Sequence, residues 1–285
     1  MSEILKLENV SYVYGAGTPF EKTAIKDVSF TVNQGEFVAI IGHTGSGKST
    51  LVQHFNALLA PTSGRVLING EDINQNPQTK RAARFACGLV FQYPEYQLFE
   101  ETVFLDIAFG PKNMGLSDVE VKRRVLTAAE AVGIDSLTLE KSPFDLSGGQ
   151  KRRVAIAGVI SMEPEILVLD EPMAGLDPKG RDEILTMIKN YHKKNNTTVI
   201  LITHSMEDAA KMADRIIVMC NSQMLLDGTP SEIFKEHELL IKSGLDVPQI
   251  TSVFIELKKR GYDVNTSVYT IEQAKEELLR LKGIL

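Results

Sequence analysis

A glycine-rich loop over residues 42–49 has the residue types and the spacing of a phosphate-binding site. It reads Gly-His-Thr-Gly-Ser-Gly-Lys-Ser and fits the pattern G-x-x-x-x-G-K-[ST]. Its glycines let the backbone wrap closely around phosphate, with successive N–H groups pointing inward. Lys48 supplies a point charge for the β- and γ-phosphates, and Ser49 supplies a hydroxyl for Mg²⁺. The pattern therefore predicts a nucleoside triphosphate site.

Two adjacent carboxylates, Asp170 and Glu171, indicate where the terminal phosphate would be attacked. They follow the apolar run 166–169, which is typical of a buried strand, and they precede Pro172, which ends that strand. A strand that carries a magnesium-binding Asp is the usual partner of a glycine loop. We therefore expect Asp170 to hold Mg²⁺ through water, and Glu171 to orient and polarise the attacking water. Two idle, solvated acids are the weaker interpretation.

A third element, Leu-Ser-Gly-Gly-Gln over residues 146–150, lies between the first two along the chain. A serine followed by two glycines is typical of a helix start that binds an anion, and residues 154–160 would form the body of the helix. At average composition this pentapeptide arises by chance in on the order of one chain in a few thousand. It is therefore the most specific signal in the sequence.

The strands around these residues predict a parallel α/β core. Residues 37–41 are apolar throughout, as expected for a strand covered on both faces, and they lead directly into the glycine loop. Residues 27–32 alternate between apolar and polar types, as a half-buried strand does. Residues 65–70 end in Asn-Gly, which is typical of a hairpin turn. Residues 198–203 form a further strand.

Helical patterns alternate with these strands. We predict one helix over residues 48–59 and a helical stretch over residues 102–132, within which Ser117 and Glu120 form a capping box. Asp177 caps a helix whose first residue is a proline.

From about Gly228 the pattern changes to amphipathic helices, at residues 253–260 and 271–282, without another glycine loop or carboxylate pair. We therefore expect an ATPase domain over residues 1–228 and an accessory helical region over residues 229–285. The alternative for the second region is a solvated tail.

Composition excludes several classes of protein. The 285 residues are 43% apolar and 24% charged, which is ordinary for a globular protein with a sizeable core. No apolar run is long enough to cross a bilayer, and residues 1–3 begin no secretory segment, so we expect a soluble protein that stays in the cytoplasm. A net charge of −6 without basic blocks argues against nucleic acid as a ligand. Cys87 and Cys220 are expected to be reduced core residues.

Over residues 4–228 the sequence resembles the ATP-binding subunits of ABC transporters, because the glycine loop, the signature Leu-Ser-Gly-Gly-Gln and the carboxylate pair occur in the family's order. The resemblance implies an α/β fold of the P-loop NTPase type. This fold is an ABC nucleotide-binding domain with an N-terminal antiparallel β subdomain, a helical subdomain inserted at about residues 93–160, and a C-terminal helical extension. It also implies an ATPase with ATP and Mg²⁺ as cofactors.

The resemblance assigns roles to single residues. Gln92 is similar to the Q-loop glutamine, which contacts Mg²⁺ and the attacking water; His204 is similar to the switch histidine, which contacts the γ-phosphate; and Asp177 ends the D-loop. Tyr14 resembles the aromatic residue that stacks on adenine, with Tyr12 as its rival. Tyr14 is favoured because it immediately precedes a glycine turn.

The resemblance implies three groups of site residues. The catalytic residues are Glu171, His204 and Gln92. The metal ligands are Ser49, Gln92 and Asp170. The nucleotide-binding residues are Tyr14, Gly42, His43, Thr44, Gly45, Ser46, Gly47, Lys48, Ser49 and Thr50. His43 stands at a variable position of the loop and has no separate chemical role.

The family's geometry also implies a dimeric site. The signature residues Ser147, Gly148, Gly149 and Gln150 of one protomer act on the ATP that is held by the glycine loop of the opposing protomer. The γ-phosphate then bridges the two protomers and stabilises their closed state. Hydrolysis removes this bridge and lets the halves part, so the site is a switch as well as a catalyst.

Residues 90–99 and 102–111 narrow the resemblance to the energy-coupling factor ATPases (CbiO-like), and residues 17–20 and 150–158 are similar to the second of their two paralogous ATPases. This implies uptake of vitamins or transition-metal ions, powered from the cytoplasmic face of the cell membrane by a peripheral subunit. The implied partners are a paralogous ATPase or a second copy, a transmembrane coupling protein and a substrate-binding membrane protein. The C-terminal extension would help to hold the ATPase pair together.

Other interpretations remain open at this point. The chain could be the ATPase of another ABC importer or exporter, a soluble ABC protein that acts on ribosomes or DNA, or a P-loop kinase or GTPase. The sequence has neither the second cassette usual in ribosome-type members nor the long coiled-coil insertion of DNA-repair members. A kinase or GTPase would leave residues 146–150 unexplained. Phe99, Phe104 and Phe109 either belong to a core or line a groove for short helices of the coupling protein.

Overall fold

The computed structural model describes residues 2–283. Within this range the strands form two sheets, of which the smaller is antiparallel. In sheet order its strands are β2 (Lys22–Asn33), β1 (Glu3–Tyr14), β4 (Ser63–Ile68) and β5 (Glu71–Asp72). The expected turn after β4 is present, with Asn69 and Gly70 both at positive φ, as a type I′ hairpin turn requires.

The larger sheet is parallel except for one edge strand. In sheet order its strands are β10 (Gln223–Gly228), β9 (Arg215–Cys220), β3 (Phe37–Gly42), β8 (Thr198–Ile202), β7 (Ile166–Asp170) and β6 (Cys87–Val90). Every residue of β3, β7 and β8 is buried, which explains their uninterrupted apolar runs. Because parallel strands end at a common edge, the loops after β3, β6, β7 and β8 meet there.

Helices cover both faces of the larger sheet. Within the described residues they are α1 (Lys48–Gln53), α2 (Pro77–Ala86), α3 (Val103–Asn113), α4 (Asp118–Val132), α5 (Ser136–Leu139), α6 (Gly148–Ile160), α7 (Pro178–Asn195), α8 (Met206–Met212), α9 (Pro230–Lys235), α10 (His237–Lys242), α11 (Gln249–Lys259) and α12 (Ile271–Leu281). One core lies between the two sheets and includes α1, and a second lies between the larger sheet and helices α3, α4, α6 and α7.

Two helix predictions differ from the structure. The helix predicted over residues 48–59 ends at Gln53, and His54 at its C-cap is buried between Tyr12 and the Thr50 carbonyl. The stretch predicted over residues 102–132 consists of two helices, because Gly115 at φ +80° turns the chain between α3 and α4. Ser117 caps α4 as predicted, although the return bond of a full capping box is not formed there.

The residues after β10 form two layers. Helices α9 and α10 pack on the larger sheet, where Phe234 and Leu240 are buried in one cluster with Ile41 and Val218. Helices α11 and α12 enclose a small core of their own around Phe254. Their outer faces expose apolar side chains, namely Val253, Ile271, Leu278 and Leu281. In the part of the chain that the structure describes, no helix combines the length and apolar character needed to cross a bilayer.

Candidate active site

The glycine loop joins the end of β3 to the start of α1, and its glycines are required by close backbone approach or by positive φ values. A Cβ atom at Gly42 would collide with the Met219 carbonyl oxygen, and one at Gly47 would collide with that of Ala24. Gly45 and Gly47 also have positive φ values, which L-residues with a side chain rarely adopt. The spacing that defines the sequence pattern is thus a consequence of how tightly the loop turns between the two sheets.

Lys48 is the cation of this loop and is 7% exposed. Its Nζ donates to the carbonyl oxygens of Gly42, at 2.7 Å, and His43, at 3.0 Å. Burial lowers the pKa of Lys48, while the nearby charges of Glu171 and Asp170 act in the opposite direction. The ammonium group is therefore held against the backbone of the loop, near both carboxylates.

Asp170 ends β7 and is 5% exposed, so burial raises the pKa of its carboxyl group. A hydrogen bond with the Ser49 side chain and the charge of Lys48 act against this rise. A buried carboxylate beside a hydroxyl provides the hard oxygen ligands that Mg²⁺ prefers. The Ser46 hydroxyl is also buried in the loop and has no hydrogen-bond partner among the described residues. These groups fit a cradle for a metal-bound triphosphate.

Glu171, Gln92 and His204 meet directly. The Gln92 side-chain amide donates to Glu171 Oε2 at 3.0 Å, and His204 Nδ1 lies 3.4 Å from the same oxygen. Glu171 has φ +48°, and its N–H donates to the Ile202 carbonyl at 3.0 Å. The three residues line a cleft of about 290 Å³. Three distant loops thus bring a carboxylate, an amide and an imidazole to one point.

The two rival tyrosines have different environments. Tyr14 is 41% exposed, and its hydroxyl lies 3.2 Å from Thr50 Oγ1 at the start of α1. Tyr12 packs against the core between the sheets, and its ring contacts the Tyr14 ring edge to face at 4.8 Å. On the other side Tyr12 meets His54 at 4.9 Å. Only Tyr14 of the two presents a large part of its ring to solvent, beside the glycine loop.

The signature residues lie at the start of α6 and contact one another. Ser147 caps the helix, and the Gln150 side chain accepts hydrogen bonds from the Ser147 backbone and hydroxyl at 3.1 and 3.0 Å. A Cβ atom at Gly148 or Gly149 would meet nothing within 4 Å, so open space lies in front of the first turn. Within residues 2–283 no hydrogen bond joins residues 147–150 to the glycine loop. The two elements are thus not joined within one chain.

The D-loop turns at Gly175, with φ +76°, and ends at Asp177, whose side chain accepts from Gly180 N–H at 2.8 Å. Asp177 is exposed and caps α7, as the sequence predicts. Four residues into that helix, Arg181 pairs with Asp208 on α8 at 2.7 Å and also donates to Ser205. The loops that carry Asp177 and His204 are therefore tied together. Sequence reasoning did not single out this pair.

A second arginine that sequence reasoning missed is Arg152 on α6. It is 3% exposed and pairs with Glu95 at 2.6 Å. A signal for it exists in the sequence, because Arg152, Ile156 and Ile160 share one helix face at i, i+4 spacing and all three are buried. A charged residue on the apolar face of a predicted helix requires a partner, but the partner cannot be identified without the tertiary structure.

Comparisons with known proteins agree with this geometry. The sequence profile of the family described as "ABC transporter" matches residues 25–174. The chain is 58% identical over 280 residues to "Energy-coupling factor transporter ATP-binding protein EcfA2" of Caldanaerobacter subterraneus subsp. tengcongensis, covering 98% of each chain. It is 56% identical over 278 residues to the protein with the same name in Clostridium tetani, covering 97% of this chain and 96% of that protein.

Solved structures are also similar. CbiO1 from Clostridium perfringens, described as part of the ABC transporter complex cbiONQ, matches with a TM-score of 0.76 and 39% identity, over 92% of this chain and 98% of that chain. The ATP-binding cassette MJ0796, in a dimeric post-hydrolysis state bound to ADP and Pi, matches with a TM-score of 0.70 and 29% identity, over 79% of this chain and 98% of that chain.

Proposed function

Because this chain belongs to the ABC transporter family, and within it to the energy-coupling factor transporter ATP-binding proteins, we propose that it forms half of an ATPase pair that drives uptake through membrane-embedded partners. The chain is an ATP-binding subunit, and its ATP hydrolysis is coupled to transport. One observation carries the proposal: Glu171 meets Gln92 and His204 at the sheet edge that also presents Lys48 and Asp170.

Each group at this edge has a role that its environment supports. Lys48 binds the β- and γ-phosphates, and Asp170 with Ser49 and Gln92 would hold Mg²⁺, which when bound neutralises phosphate charge. Glu171 orients the attacking water and takes up its proton, since it is the carboxylate in contact with both neighbouring polar side chains. His204 contacts the γ-phosphate.

Further residues complete the nucleotide site. We infer that Tyr14, with its exposed ring, stacks on adenine, while Tyr12 supports that ring from the core side. The loop from Gly42 to Thr50 surrounds the phosphates, and His43 contributes its backbone. Asp177 positions the D-loop next to the opposing protomer.

The second half of the site comes from an opposing protomer. The open first turn of α6 at Gly148 and Gly149 has unpaired backbone N–H groups by helix geometry, and these favour an anion. Since this turn makes no hydrogen bond to the glycine loop of its own chain within the described residues, we infer that Ser147–Gln150 act on the partner's ATP. The partner is a paralogous ATPase or a second copy of this chain. The dimeric state of the similar cassette MJ0796 supports a paired arrangement.

A cluster of exposed aromatic side chains next to the Q-loop fits a membrane-embedded partner. Tyr93, Tyr96, Phe99 and Phe109 are 42%, 84%, 58% and 46% exposed, whereas Phe104 packs against the core. We infer that this aromatic surface receives short helices of a transmembrane coupling protein, which works with a substrate-binding membrane protein for a vitamin or a transition-metal ion. The chain would then act as a peripheral subunit at the cytoplasmic face of the membrane, with no nucleic acid as partner.

A gentle detergent pull-down of the tagged full chain, with identification of every bound protein, tests this function. We expect a transmembrane protein and one further ATPase, or a second copy, to be recovered from the membrane fraction. The variant Tyr96→Glu places a charge on the aromatic surface, and it should lose the transmembrane protein while keeping the ATPase pair. Recovery with ribosomes and without any membrane protein would refute the transport function.

We propose that α11 and α12 help to hold the ATPase pair together. A truncation near Gly228 would also remove Phe234 and Leu240 from the core over the ATPase sheet, so a cleaner truncation ends after Pro248. We expect it to weaken pairing roughly tenfold, which corresponds to about 1.4 kcal/mol, with unchanged ATP affinity. Analytical ultracentrifugation measures the first quantity and fluorescent-nucleotide titration the second; a pair that is as tight after truncation contradicts the role.

A further inference from the structure

An ion pair between a buried arginine and a half-buried glutamate connects three parts of the ATPase that have separate tasks. The Arg152 guanidinium, 3% exposed, forms a two-pronged contact with Glu95, from Nε at 3.0 Å and from Nη2 at 2.6 Å. Its Nη1 donates to the carbonyl oxygens of Pro172, at 3.1 Å, and Ala174, at 2.7 Å. One side chain therefore makes four hydrogen bonds to two distant segments.

Arg152 and each group that it contacts lie next to a functional element. Arg152 is on α6, two residues after the signature and on the helix whose first turn faces the partner's ATP. The carbonyl groups belong to the segment that directly follows Glu171 and leads into the D-loop. Glu95 lies in the 3₁₀ turn Pro94–Gln97, three residues after Gln92. The pair thus joins signature, catalytic carboxylate and Q-loop.

The 3₁₀ turn and the residue before it carry two side chains of the aromatic surface, Tyr93 and Tyr96. Tyr93, directly before the turn, has φ +54°, and Tyr96 within it is 84% exposed. Tyr93 and Gly175 of the D-loop line the same cleft, so the residue that begins this turn lies near the D-loop. Any displacement of this turn by a bound protein would therefore act on Glu95, and through Arg152 on α6 and on the segment after Glu171.

The geometry requires both an arginine and a carboxylate. A planar guanidinium can satisfy a carboxylate with two parallel bonds while a third nitrogen serves the carbonyl groups, whereas a lysine ammonium cannot span these acceptors. Burial acts to raise the pKa of Glu95, but the hydrogen bonds and charge of Arg152, together with a backbone hydrogen bond, outweigh it, so the pKa of Glu95 lies below its ordinary value. Removal of Glu95 would leave the buried Arg152 guanidinium without its counter-ion.

We propose that Glu95 and Arg152 are positioning residues. Through them, the 3₁₀ turn next to the aromatic surface sets the placement of the signature helix and of Glu171. A protein bound at the aromatic surface would therefore change the rate of ATP hydrolysis. Neither residue contacts the glycine loop among the described contacts, so ATP affinity does not depend on them. The link to a bound coupling protein rests on the proposed function, whereas the effect on turnover does not.

The test compares Glu95→Gln, Arg152→Lys and the double variant in the full-length ATPase pair, with and without its membrane subunits. Glu163→Gln and Arg124→Lys are matched controls. Arg124 also pairs with a carboxylate on another element, that of Glu163 at 3.1 Å, and donates to a carbonyl oxygen, that of Met162 at 2.8 Å. This pair lies outside the candidate active site. We expect kcat to fall about tenfold in each site variant, with KM for ATP within about twofold, since small misplacements of reacting groups are costly. The double variant should fall no further than the single ones.

The controls should lose thermal stability without loss of kcat. In the membrane complex, the change of rate on binding the membrane subunits should be lost in Glu95→Gln. A rise of KM with unchanged kcat, strictly additive effects, or effects equal to those of the controls would overturn the proposal. If Arg152→Lys does not fold, Glu95→Gln alone decides the question. A wild-type pair that hydrolyses ATP but binds no membrane subunit would refute the proposed function, while the kcat comparison would still decide the positioning role.

Discussion

In a pair of two copies of this chain, replacement of Glu171 by Gln lowers kcat for ATP hydrolysis by about 10²–10⁴-fold while ATP binding persists, because the substitution keeps the shape of the side chain and removes its basicity. The new amide would still contact Gln92 and His204, which lie 3.0 and 3.4 Å from the Glu171 carboxylate. Without hydrolysis the γ-phosphate continues to bridge the protomers, so the pair accumulates in its closed state. Phosphate release measures turnover, and size-exclusion chromatography with Mg-ATP measures pairing.

The control is Asp182→Asn, which neutralises an acid on α7 whose side chain is 72% exposed. It should leave both turnover and pairing unchanged. If the chain pairs with a paralogue, the second ATP site still has the paralogue's own catalytic carboxylate, so the pair retains up to half of its turnover. The corresponding Glu→Gln change in the paralogue then removes the remaining turnover. A variant that stays monomeric with Mg-ATP and hydrolyses at the normal rate would contradict the role of Glu171.

Replacement of Lys48 by Ala weakens ATP binding roughly 30- to 150-fold, which corresponds to about 2–3 kcal/mol for the loss of charge-assisted hydrogen bonds to phosphate. In the structure the carbonyl groups of Gly42 and His43 hold the ammonium group within the loop that would surround the phosphates. Equilibrium titration with a fluorescent ATP analogue measures the affinity. Turnover should fall in parallel at subsaturating ATP.

The matched control is Lys122→Ala on the exposed face of α4, which removes the same charge far from the glycine loop. Its ATP affinity should equal that of the wild type, and circular dichroism should show that both variants are folded. Unchanged affinity in Lys48→Ala would remove the glycine loop from the nucleotide site.

The local chemistry of the site could be predicted from the sequence because it depends on neighbouring residues. The turn of the glycine loop needs glycines at set positions, and a helix start needs a capping side chain such as Ser147 or Asp177. The buried strand before Asp170 could be predicted for the same reason, since a continuous apolar run is itself the signal of a strand covered on both faces. The family resemblance added His204 and Gln92, whose residue types alone would not have identified them.

The sequence by itself determined strands β2, β3, β4, β7 and β8, the capped helix starts at Ser117 and Asp177, and the position of the glycine loop between β3 and α1, because each depends on short-range backbone geometry or on local apolar pattern. Only the tertiary structure decided which tyrosine is exposed, where α1 ends, and how Glu95 meets Arg152 across 57 residues of chain. These outcomes depend on burial between segments that are far apart in sequence. The physical reason is that the tertiary fold decides which residue pairs with a buried charge or packs against a buried ring. No local sequence pattern specifies that residue.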